Sequence, residues 1–542
     1  MFYILSGIAL VLIAGGIIFW RNYKYKLVNR KLDNLTAKSK GLYQISYDHL
    51  VIDEALGNIS AENIEVMPDS IIFHQMEMQK TAPETIFLVK IPSLQISGVK
   101  TPKALLTKEI SAHMIKIRNA EIEIRLGKAS KEKQSDFLNS IGPENYRQLL
   151  GNLKSITADS VILENASLRL VDKETKMLRC KATGISLRFA GTAIDSLYKN
   201  DSSRILFSQD LAVHCGQLVL PSKNKVYEFE VNGFDYASQS GYLHTDQIRL
   251  KPGLTETAFA KANKFAKDRF NIAIGHLEIK NINRIAMLNQ QLIADTLLIR
   301  EGSFHIFRDK SYPHDSLDRT HDYPQEAIMH LPFPVYVKKI LIQDSYIEYK
   351  EKNDKSDSSG KVAFFKVQAG IDNVTNMPSH IRQNNLMHLD FNSSFLNAAP
   401  FHATIRMRLN DRNGNFNMDA RLGSIKAVSL NPLLKPMALA ELNKGEIHSL
   451  NYHLDATNKT GKGKLILIYD KLSVKLLKKD DDKNKYKTKV LPTLAAGILL
   501  KDSNPTDGKT RTGHVEYKRD IHRSMFNLMW KSLFAAIKQV AL

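Results

Sequence analysis

A segment rich in histidine and aspartate offers the clearest candidate chemistry in this chain. His314, Asp315, Asp318, His321 and Asp322 lie close together in the stretch HDSLDRTHDYP. Imidazole and carboxylate groups bind divalent metals, but a metal site needs three or four of them to converge on one point. A proline stands at each side of the segment, which favours a solvated polar insertion. We therefore assign no metal ligand here.

Other motifs with possible chemistry are weaker. Gly461-Lys462-Gly463 lacks the spacing of a phosphate-binding loop, and neither G-x-S-x-G nor H-E-x-x-H occurs in the chain. Cys180 and Cys215 could form a disulfide bond or remain two buried free thiols, and both interpretations stay open. A total of two cysteines excludes a disulfide-built scaffold and a four-cysteine zinc site. We expect no enzymatic activity and no cofactor.

The composition is that of a folded protein with a strong basic charge. The 542 residues include 43% hydrophobic and 24% charged residues, which excludes wholesale disorder and a polytopic membrane protein. The net charge of +20 is spread over loops and polar faces, without an aromatic-basic module of the kind that binds nucleic acid. We expect anionic phospholipid headgroups, and no nucleic acid, as partners of this charge.

The first residues predict a membrane anchor. The uncharged run from Phe2 to Trp20 nearly crosses a hydrocarbon core of about 30 Å as a helix. A cleaved signal peptide is the alternative, but no basic residue precedes the run and no A-x-A site follows it. Residues 22–40 form a basic juxtamembrane linker. The positive-inside rule would keep the body cytoplasmic, although large domains can be exported despite flanking charge.

From Gly41 onward, apolar and polar residues alternate as they do in strands that bury one face. Helical periodicity is confined to four segments, and polar breaks predict five loops. The predicted helices are Ser135–Leu153, Leu254–Phe270, Leu430–Leu442 and the C-terminal segment. The predicted loops are Lys128–Gln134, Asp309–Pro324, Asn353–Gly360, Lys478–Lys489 and Asp502–Gly513.

One strand pattern recurs: two large apolar residues at alternate positions, two other residues, a small residue, one further residue, and two more alternating apolar residues. A partial further copy begins at Ile248. Such a unit buries only one face and needs neighbours stacked beside it. The full copies are Ile115–Ile124, Val161–Leu170, Leu211–Leu220, Leu297–Ile306 and Ile340–Tyr349.

The centre of each repeat has two interpretations. If Asn119-Ala120 is a hairpin turn, Ile117 faces Ile122 and Arg118 faces Glu121 across two antiparallel strands. Lys116 would then face Glu123 in the same way. Because alanine is poor at positive φ, the unit could instead be one strand bent at a bulge.

What covers the apolar face decides the function. A closed protein core is one answer, and an open trough filled by lipid acyl chains is the other; periodicity does not choose between them. The candidate lipid-groove residues are Ile115, Ile117, Ile122, Ile124, Val161, Leu163, Leu168, Leu170, Leu297, Ile299, Phe304, Ile306, Ile340, Ile342 and Ile347. Arg118, Glu164, Arg300 and Gln343 are expected to point outward.

The C-terminal segment Asp520–Leu542 has the spacing of an amphipathic helix with a wide apolar arc and a basic fringe. It suits a helix lying in a membrane interface, or one that covers the last edge strand of the sheet. The candidate membrane-contact residues are Met525, Phe526, Met529, Trp530, Leu533, Phe534 and Ile537.

Three parts of the chain resemble the AsmA-like superfamily, which includes TamB and the bridge-like lipid-transfer proteins. The stretches Gly41–Asp53 and Ile64–Asp69 after the anchor are similar to the family's opening strands, and the recurring unit resembles its repeat. The third part is similar to the C-terminal module of AsmA-like envelope proteins of Gram-negative bacteria. It consists of Ser429–Pro436, Lys444–Ile447, Gly461–Leu465 and Tyr469–Leu477.

The resemblance implies a mainly β protein, with an elongated, repetitive antiparallel sheet curled into a groove. It implies a single-pass inner-membrane anchor, a periplasmic body, and a role in phospholipid transport or outer-membrane homeostasis. Expected partners are the inner membrane, phospholipid, and the outer membrane or a protein within it. The alternative is a structural or assembly factor of the envelope with a closed core. The expected domains are 1–21 (anchor), 22–40 (linker), 41–425 (groove body), 426–500 (C-terminal module), 501–519 (loop) and 520–542 (amphipathic helix).

Overall fold

The computed structural model describes residues 42–100, 107–127, 153–198, 201, 203–222, 224–353, 358–480, 485–488 and 501–541. Strands make up 60% of the structure and helices 15%, so the predicted mainly β class is confirmed. The predicted anchor, the basic linker and nearly all of the helix predicted at 135–153 lie outside the described residues. Within the described ranges, no helix is both long enough and apolar enough to cross a membrane.

The described residues form two compact units, which divide between Asp246 and Gln247. The domain bounds expected from the sequence remain predictions, and the core of the second unit draws on strands from both sides of residue 426. Tyr452 and Leu454 share one apolar core with Val335 and Met387 from the preceding strands.

The first unit consists of consecutive strands with one described helix, α1 (Ser70–Met78), whose N-terminus is capped by Asp69. Its strands are β1 (Tyr43–Asp53), β2 (Asn58–Pro68), β3 (Thr85–Ser97), β4 (Glu109–Arg118), β5 (Glu121–Leu126), β6 (Ser155–Asp172), β7 (Leu178–Ile194), β8 (Asp210–Pro221), β9 (Tyr227–Ala237) and the start of β10 (Tyr242–Pro252). Neighbouring strands pair antiparallel, except that β4 and β5 both run parallel to β6.

The second unit is a longer run of strands whose pairs are antiparallel, apart from the parallel pair β12–β13. Its strands are β11 (Asp268–Lys280), β12 (Leu292–Asp309), β13 (Val335–Lys352), β14 (Ser359–Thr375), β15 (Leu386–Phe395), β16 (Ala399–Arg408), β17 (Phe416–Leu422), β18 (Ile425–Lys426), β19 (Ala440–Ala456), β20 (Thr460–Asp480), β21 (Lys485–Thr488) and β22 (Thr512–Lys518). Its helices are α2 (Glu256–Asn263), α3 (Arg284–Leu288), α4 (Pro324–Met329), α5 (Pro378–Gln383), α6 (Asn431–Ala438) and α7 (Met525–Ala541).

The recurring unit is a bent strand, so the hairpin interpretation is wrong and the bulge interpretation is confirmed. In four of the copies the residue before the small residue has a positive φ: 55° at Asn119, 53° at Asn165, 54° at Glu301 and 50° at Asp344. In a regular strand, residues five apart point to opposite faces. The bulge supplies the extra residue that returns the second apolar pair to the face of the first.

Two pairs of repeats stack in parallel, residue on residue, because their connections cross over. Ile117 lies beside Leu163, and Ile299 lies beside Ile342. Parallel neighbours need a connection of about a dozen or more residues between them. The connection between β12 and β13, residues 310–334, is long enough and includes α4. The expectation of an antiparallel sheet therefore fails between these repeats.

The small residue of each repeat is needed at the bulge. Ala120 and Ala166 are fully buried. The amide of Gly302 donates a 3.0 Å hydrogen bond to Ser345 Oγ of the neighbouring repeat. A side chain at position 302 would meet the ring of Phe304 at 2.5 Å, so a larger residue does not fit there.

The charge pairs on the polar face also differ from the hairpin prediction. Lys116 and Arg118 both bind Glu164 on β6, at 2.9 and 3.1 Å, and not Glu123 and Glu121. The parallel neighbour lies directly beside them, whereas a hairpin partner does not exist.

Several predicted element bounds are corrected. The helix predicted at Leu254–Phe270 is limited to α2, because Lys264 adopts a left-handed conformation and alternation resumes in β11. The predicted loop 501–519 contains β22, and the loop predicted at Lys478–Lys489 contains the end of β20 and β21. These strands are rich in lysine and glycine, which hides their alternation.

Candidate functional site

The apolar positions of the second unit form rows that cross consecutive strands on one sheet face. In the first row, Ile272 pairs with Phe304 and Phe304 lies beside Ile347. Ile347 then pairs with Phe364, and Phe364 pairs with Phe395. All five side chains are half-buried. Neighbouring strands lie about 4.8 Å apart, so the row is about 19 Å long.

A second row runs beside the first, on the other side of the bulge. Leu277 pairs with Ile299, which lies beside Ile342. Ile342 pairs with Ala369, and Ala369 pairs with Phe391. The four large side chains of this row are also half-buried. Together the two rows give this unit a broad apolar surface that still contacts solvent.

Four phenylalanines concentrate this surface on β14, β15 and β16. The rings of Phe364, Phe391, Phe395 and Phe401 lie with centroids 5.4 to 6.3 Å apart, in tilted and edge-on arrangements. Aromatic clusters of this kind usually complete a core. Here every ring stays half-buried, so the cluster keeps partial contact with solvent.

The apolar face is sealed at one end and half-exposed at the other. Along β15, Met387 is 2% exposed, whereas Leu389 and Phe391, next on the same face, are half-buried. Along β16, Met407 is likewise buried and Phe401 is half-buried. At the sealed end, α4 and α5 contribute apolar side chains to the core.

The structure separates the predicted groove residues by unit. In the second unit Leu297 and Ile340 pack against the core, and Ile299, Phe304, Ile306, Ile342 and Ile347 are half-buried. In the first unit Ile115 is half-buried, and the rest are buried: Ile117, Ile122, Ile124, Val161, Leu163, Leu168 and Leu170. Of the residues predicted to face outward, Glu164 and Arg300 are exposed, and Arg118 and Gln343 are half-buried.

Helix α7 covers the far end of the same face. The second row continues from Phe391 through Ala403 and Ala420 to Tyr452 on β19. The hydroxyl of Tyr452 donates a 2.9 Å hydrogen bond to Ser532 Oγ of α7. The helix also packs on β20 and β22, and so covers the last edge strand of this sheet.

Helix α7 carries two apolar stripes with different surroundings. Met525, Leu528, Ala536 and Val540 are buried against the sheet. Phe526, on the adjacent stripe, is 72% exposed. Met525, one of the predicted membrane-contact residues, thus lies in the protein core. Met529, Leu533 and Ile537 are half-buried and pack against the same core.

The second stripe of α7 is aromatic and basic. Trp530 and Phe534 are half-buried and stack with ring centroids 6.4 Å apart. The Lys538 ammonium lies 4.9 Å from the Phe534 ring centroid. The helix contains no acidic residue. Apolar, aromatic and cationic groups therefore share one solvent-facing stripe.

The His/Asp insertion holds its carboxylates in contacts within the protein. Arg319 binds Asp315 through two bonds of 3.0 and 3.1 Å and Asp322 at 3.3 Å. Asp318 accepts from the Thr320 amide at 2.8 Å, and His321 Nδ1 lies 2.9 Å from Glu326 Oε1. Burial and the Arg523 cation lower the pKa of His314. The five side chains predicted as candidates do not converge on one point.

The insertion instead holds the segment that leads into α7. The Arg319 amide donates to the Ile521 carbonyl at 2.7 Å, and the buried Arg519 guanidinium donates to the Arg319 carbonyl at 2.6 Å. That guanidinium also lies over the Tyr323 ring, 4.4 Å from its centroid. Burial raises the pKa of Tyr323 to about 12. Sequence reasoning missed Arg519, because nothing in its local sequence distinguishes it from surface arginines.

A buried ion network stands at the half-exposed end of β11, β12 and β13. Arg308 binds Asp268 through two bonds of 2.6 Å. The Tyr349 hydroxyl donates to Glu351 at 2.7 Å, and Lys310 lies 2.7 Å from the same carboxylate. Burial, together with Glu351, raises the pKa of Tyr349 far above its usual range. The charges are balanced, which indicates a structural network.

The two cysteines are free thiols. Cys180 pairs with Leu170 on β6, whereas Cys215 pairs with Ile185 on β7, five residues further along that strand. The two cysteines are therefore offset along neighbouring strands and are not a cross-strand pair. Burial raises the pKa of both thiols.

Comparison with known proteins identifies no relative: no family model matches the chain, and no curated protein is significantly similar to it.

Proposed function

We propose that the chain is an inner-membrane-anchored, periplasmic protein of the AsmA-like type that binds lipid acyl chains. On this proposal it assists phospholipid transport or outer-membrane homeostasis and catalyses no reaction. The observation that carries the proposal is the pair of half-buried apolar rows in the second unit, which include Ile299, Phe304, Ile342 and Ile347.

These rows suit an acyl chain physically. Each methylene group removed from water contributes about 0.8 kcal/mol. A row about 19 Å long offers many such contacts without any need for a polar partner. The Phe364 cluster adds flat, rigid surfaces beside the rows. The apolar side chains of α4 and α5 at the sealed end would then border the rows along one side.

Two further features support a membrane setting. The uncharged run Phe2–Trp20 is long enough to anchor the chain in the inner membrane. The aromatic and basic stripe of α7, with Phe526, Trp530 and Phe534, suits contact with an anionic membrane surface such as the outer membrane, or with a protein in it.

The second candidate is a structural or assembly factor of the envelope that carries no lipid. The burial of the corresponding positions in the first unit, such as Ile117 at 1% and Leu168 at 1% exposure, favours this reading for that unit. If both proposals hold in part, lipid contact is confined to the second unit.

Photo-crosslinking separates the two candidates. Benzoylphenylalanine at Phe304 or Ile347 should capture phospholipid, detected by mass spectrometry of the purified protein. The matched control is Arg300, one residue beyond Ile299 and exposed. Capture at Phe304 and not at Arg300 supports lipid binding.

The substitution Ile299→Asp gives an independent readout. If the face is an open lipid path, the variant should fold and lose captured lipid at Phe304. If the face is closed by protein, the buried unpaired charge should unfold the second unit. Unfolding together with no lipid capture in the parent protein would leave the structural factor as the function.

A further inference from the structure

A cleft of about 620 Å³ opens at the sealed end of the second unit, apart from the half-exposed apolar rows. Its apolar floor includes Met329, at the end of α4, and Ile381 of α5. Arg382 and Gln383 of α5 and Asn410 line its rim. A volume of this size lies in the range of ordinary small-molecule sites.

The polar lining of the cleft consists of one guanidinium and several carboxamides, with no carboxylate among the lining residues. Within the described ranges, the side chains of Arg382, Gln383, Asn385 and Asn410 have no hydrogen-bond partner in the protein. The Asn384 carboxamide oxygen, in contrast, accepts from the Leu386 amide at 3.0 Å. These polar side chains are exposed around one cleft and do not pair with each other.

A neighbouring cleft shows why the absence of carboxylates matters. In that cleft of about 420 Å³, Asp411 and Asp455 stand beside Arg408 and Lys462, so its charges are balanced. The side chain of Asn415 also donates to Asp411 at 2.6 Å. No lining residue of the cleft at Arg382 balances its positive charge, and three of its four carboxamides, those of Gln383, Asn385 and Asn410, have no partner in the described part of the protein.

We propose that the Arg382 cleft binds a phosphate ester of a hydroxylated group such as glycerol. An arginine recognises phosphate through paired, charge-assisted hydrogen bonds. Carboxamides both donate and accept, and so suit the adjoining hydroxyl groups. The shared chemistry occurs in a phospholipid headgroup and in a free phosphorylated polyol. The inference does not depend on acyl binding at the apolar rows.

Calorimetric titration of the full-length protein in a non-ionic detergent tests the site with two probes. Glycerol 3-phosphate represents the free ester, and dihexanoyl phosphatidylglycerol, used below its micelle concentration, represents the headgroup. We expect saturable binding of at least one of them. Binding of the lipid alone would assign the site to headgroups, and binding of both would assign it to the phosphate ester itself.

Two variants show where the probe binds. Arg382→Gln should weaken binding at least about tenfold, which is about 1.4 kcal/mol. Arg412→Gln is the matched control, since Arg412 is exposed as Arg382 is and lies in the adjacent turn, but does not line the cleft. The control should change the dissociation constant by less than about twofold.

Asn410→Gly provides a second test of the cleft that does not alter its charge. Asn410 has φ of 52°, a conformation that glycine adopts without strain, so the variant removes the carboxamide and keeps the backbone. It should weaken binding of glycerol 3-phosphate more than binding of inorganic phosphate.

The site is overturned if neither probe saturates, or if Arg382→Gln and Arg412→Gln weaken binding equally, which indicates non-specific charge attraction. Lipid binding that is unaffected by Arg382→Gln but lost in Ile299→Asp would also overturn it. That outcome would leave the proposed acyl-binding function intact.

Discussion

Replacing Asn165 by valine should weaken β6 more than replacing it by glycine. Asn165 has φ of 53°, in the left-handed region that costs an L-residue roughly 1–2 kcal/mol and a glycine nothing. Both substitutions remove the 2.9 Å hydrogen bond from Asn165 Nδ2 to Asn119 Oδ1, so that loss cancels in the comparison. We expect the valine variant to be less stable than the glycine variant by about 1–2 kcal/mol, roughly a 5- to 30-fold difference in the opening equilibrium.

Amide hydrogen exchange of β6 measures this difference. The chain has two compact units, so one global unfolding transition would not report on a single strand. Exchange of peptides covering Ser155–Asp172 in the full-length protein reports on local opening. The valine variant should exchange faster than the glycine variant.

Arg169 supplies the matched control within the same strand. It is exposed and lies outside the left-handed region, so valine should be preferred to glycine there because strands favour β-branched residues. The order of the two variants should therefore reverse between positions 165 and 169. Equal protection of the two variants at 165, or the same order at both positions, would refute the bulge argument.

Three further outcomes are expected. Alkaline phosphatase fused after residue 60 should be active, and green fluorescent protein exported there by the Sec route should stay dark; the reverse would place the body in the cytoplasm. Leu528→Ala should lower the free energy of unfolding by about 2–5 kcal/mol because Leu528 is 0% exposed. Phe526 is exposed, so Phe526→Ala should change the free energy of unfolding by less than about 0.5 kcal/mol, but it should weaken binding to anionic vesicles. Hydrogen bonding to Asp419 raises the pKa of His453, so Asp419→Asn should lower it in an NMR titration. Because the folded pKa is raised, the contribution of this pair to stability is complete below about pH 6.5 and is lost as the pH rises through the folded value. An unchanged midpoint would contradict the assignment.

The sequence predicted the repeat because its signal is local. Alternation on each side of the bulge sets which residues are apolar, and Asn119, Asn165 and Asp344 are residue types that tolerate a left-handed backbone. The same residues also suit a hairpin turn, so the local pattern did not separate a turn from a bulge. The parallel pairing with the neighbouring strand distinguishes the bulge from the turn. It joins residues far apart in the sequence, such as Ile117 and Leu163, which are 46 residues apart.

The insertion at 309–324 was recognised as polar, but its role lay beyond the reach of sequence patterns. Arg319 contacts Ile521 and Arg519, about 200 residues away in the chain. Such contacts use backbone carbonyls as acceptors, and carbonyls carry no sequence signature. For the same reason the Arg382 cleft is invisible in the sequence, because its floor and rim come from α4, α5 and a distant turn.

The C-terminal helix explains why two interpretations of one apolar arc were both reasonable. Its arc is wide because it consists of two adjacent stripes, and helical periodicity alone merges them. Burial separates them: Leu528 and Val540 have no exposed surface, whereas Phe526 is largely exposed. The first stripe is accounted for by the edge strand it covers. The second is not needed for that cover, and under the proposed function its Trp530 and Phe534 rings, with Lys538 beside them, would be the part of the helix that meets a membrane.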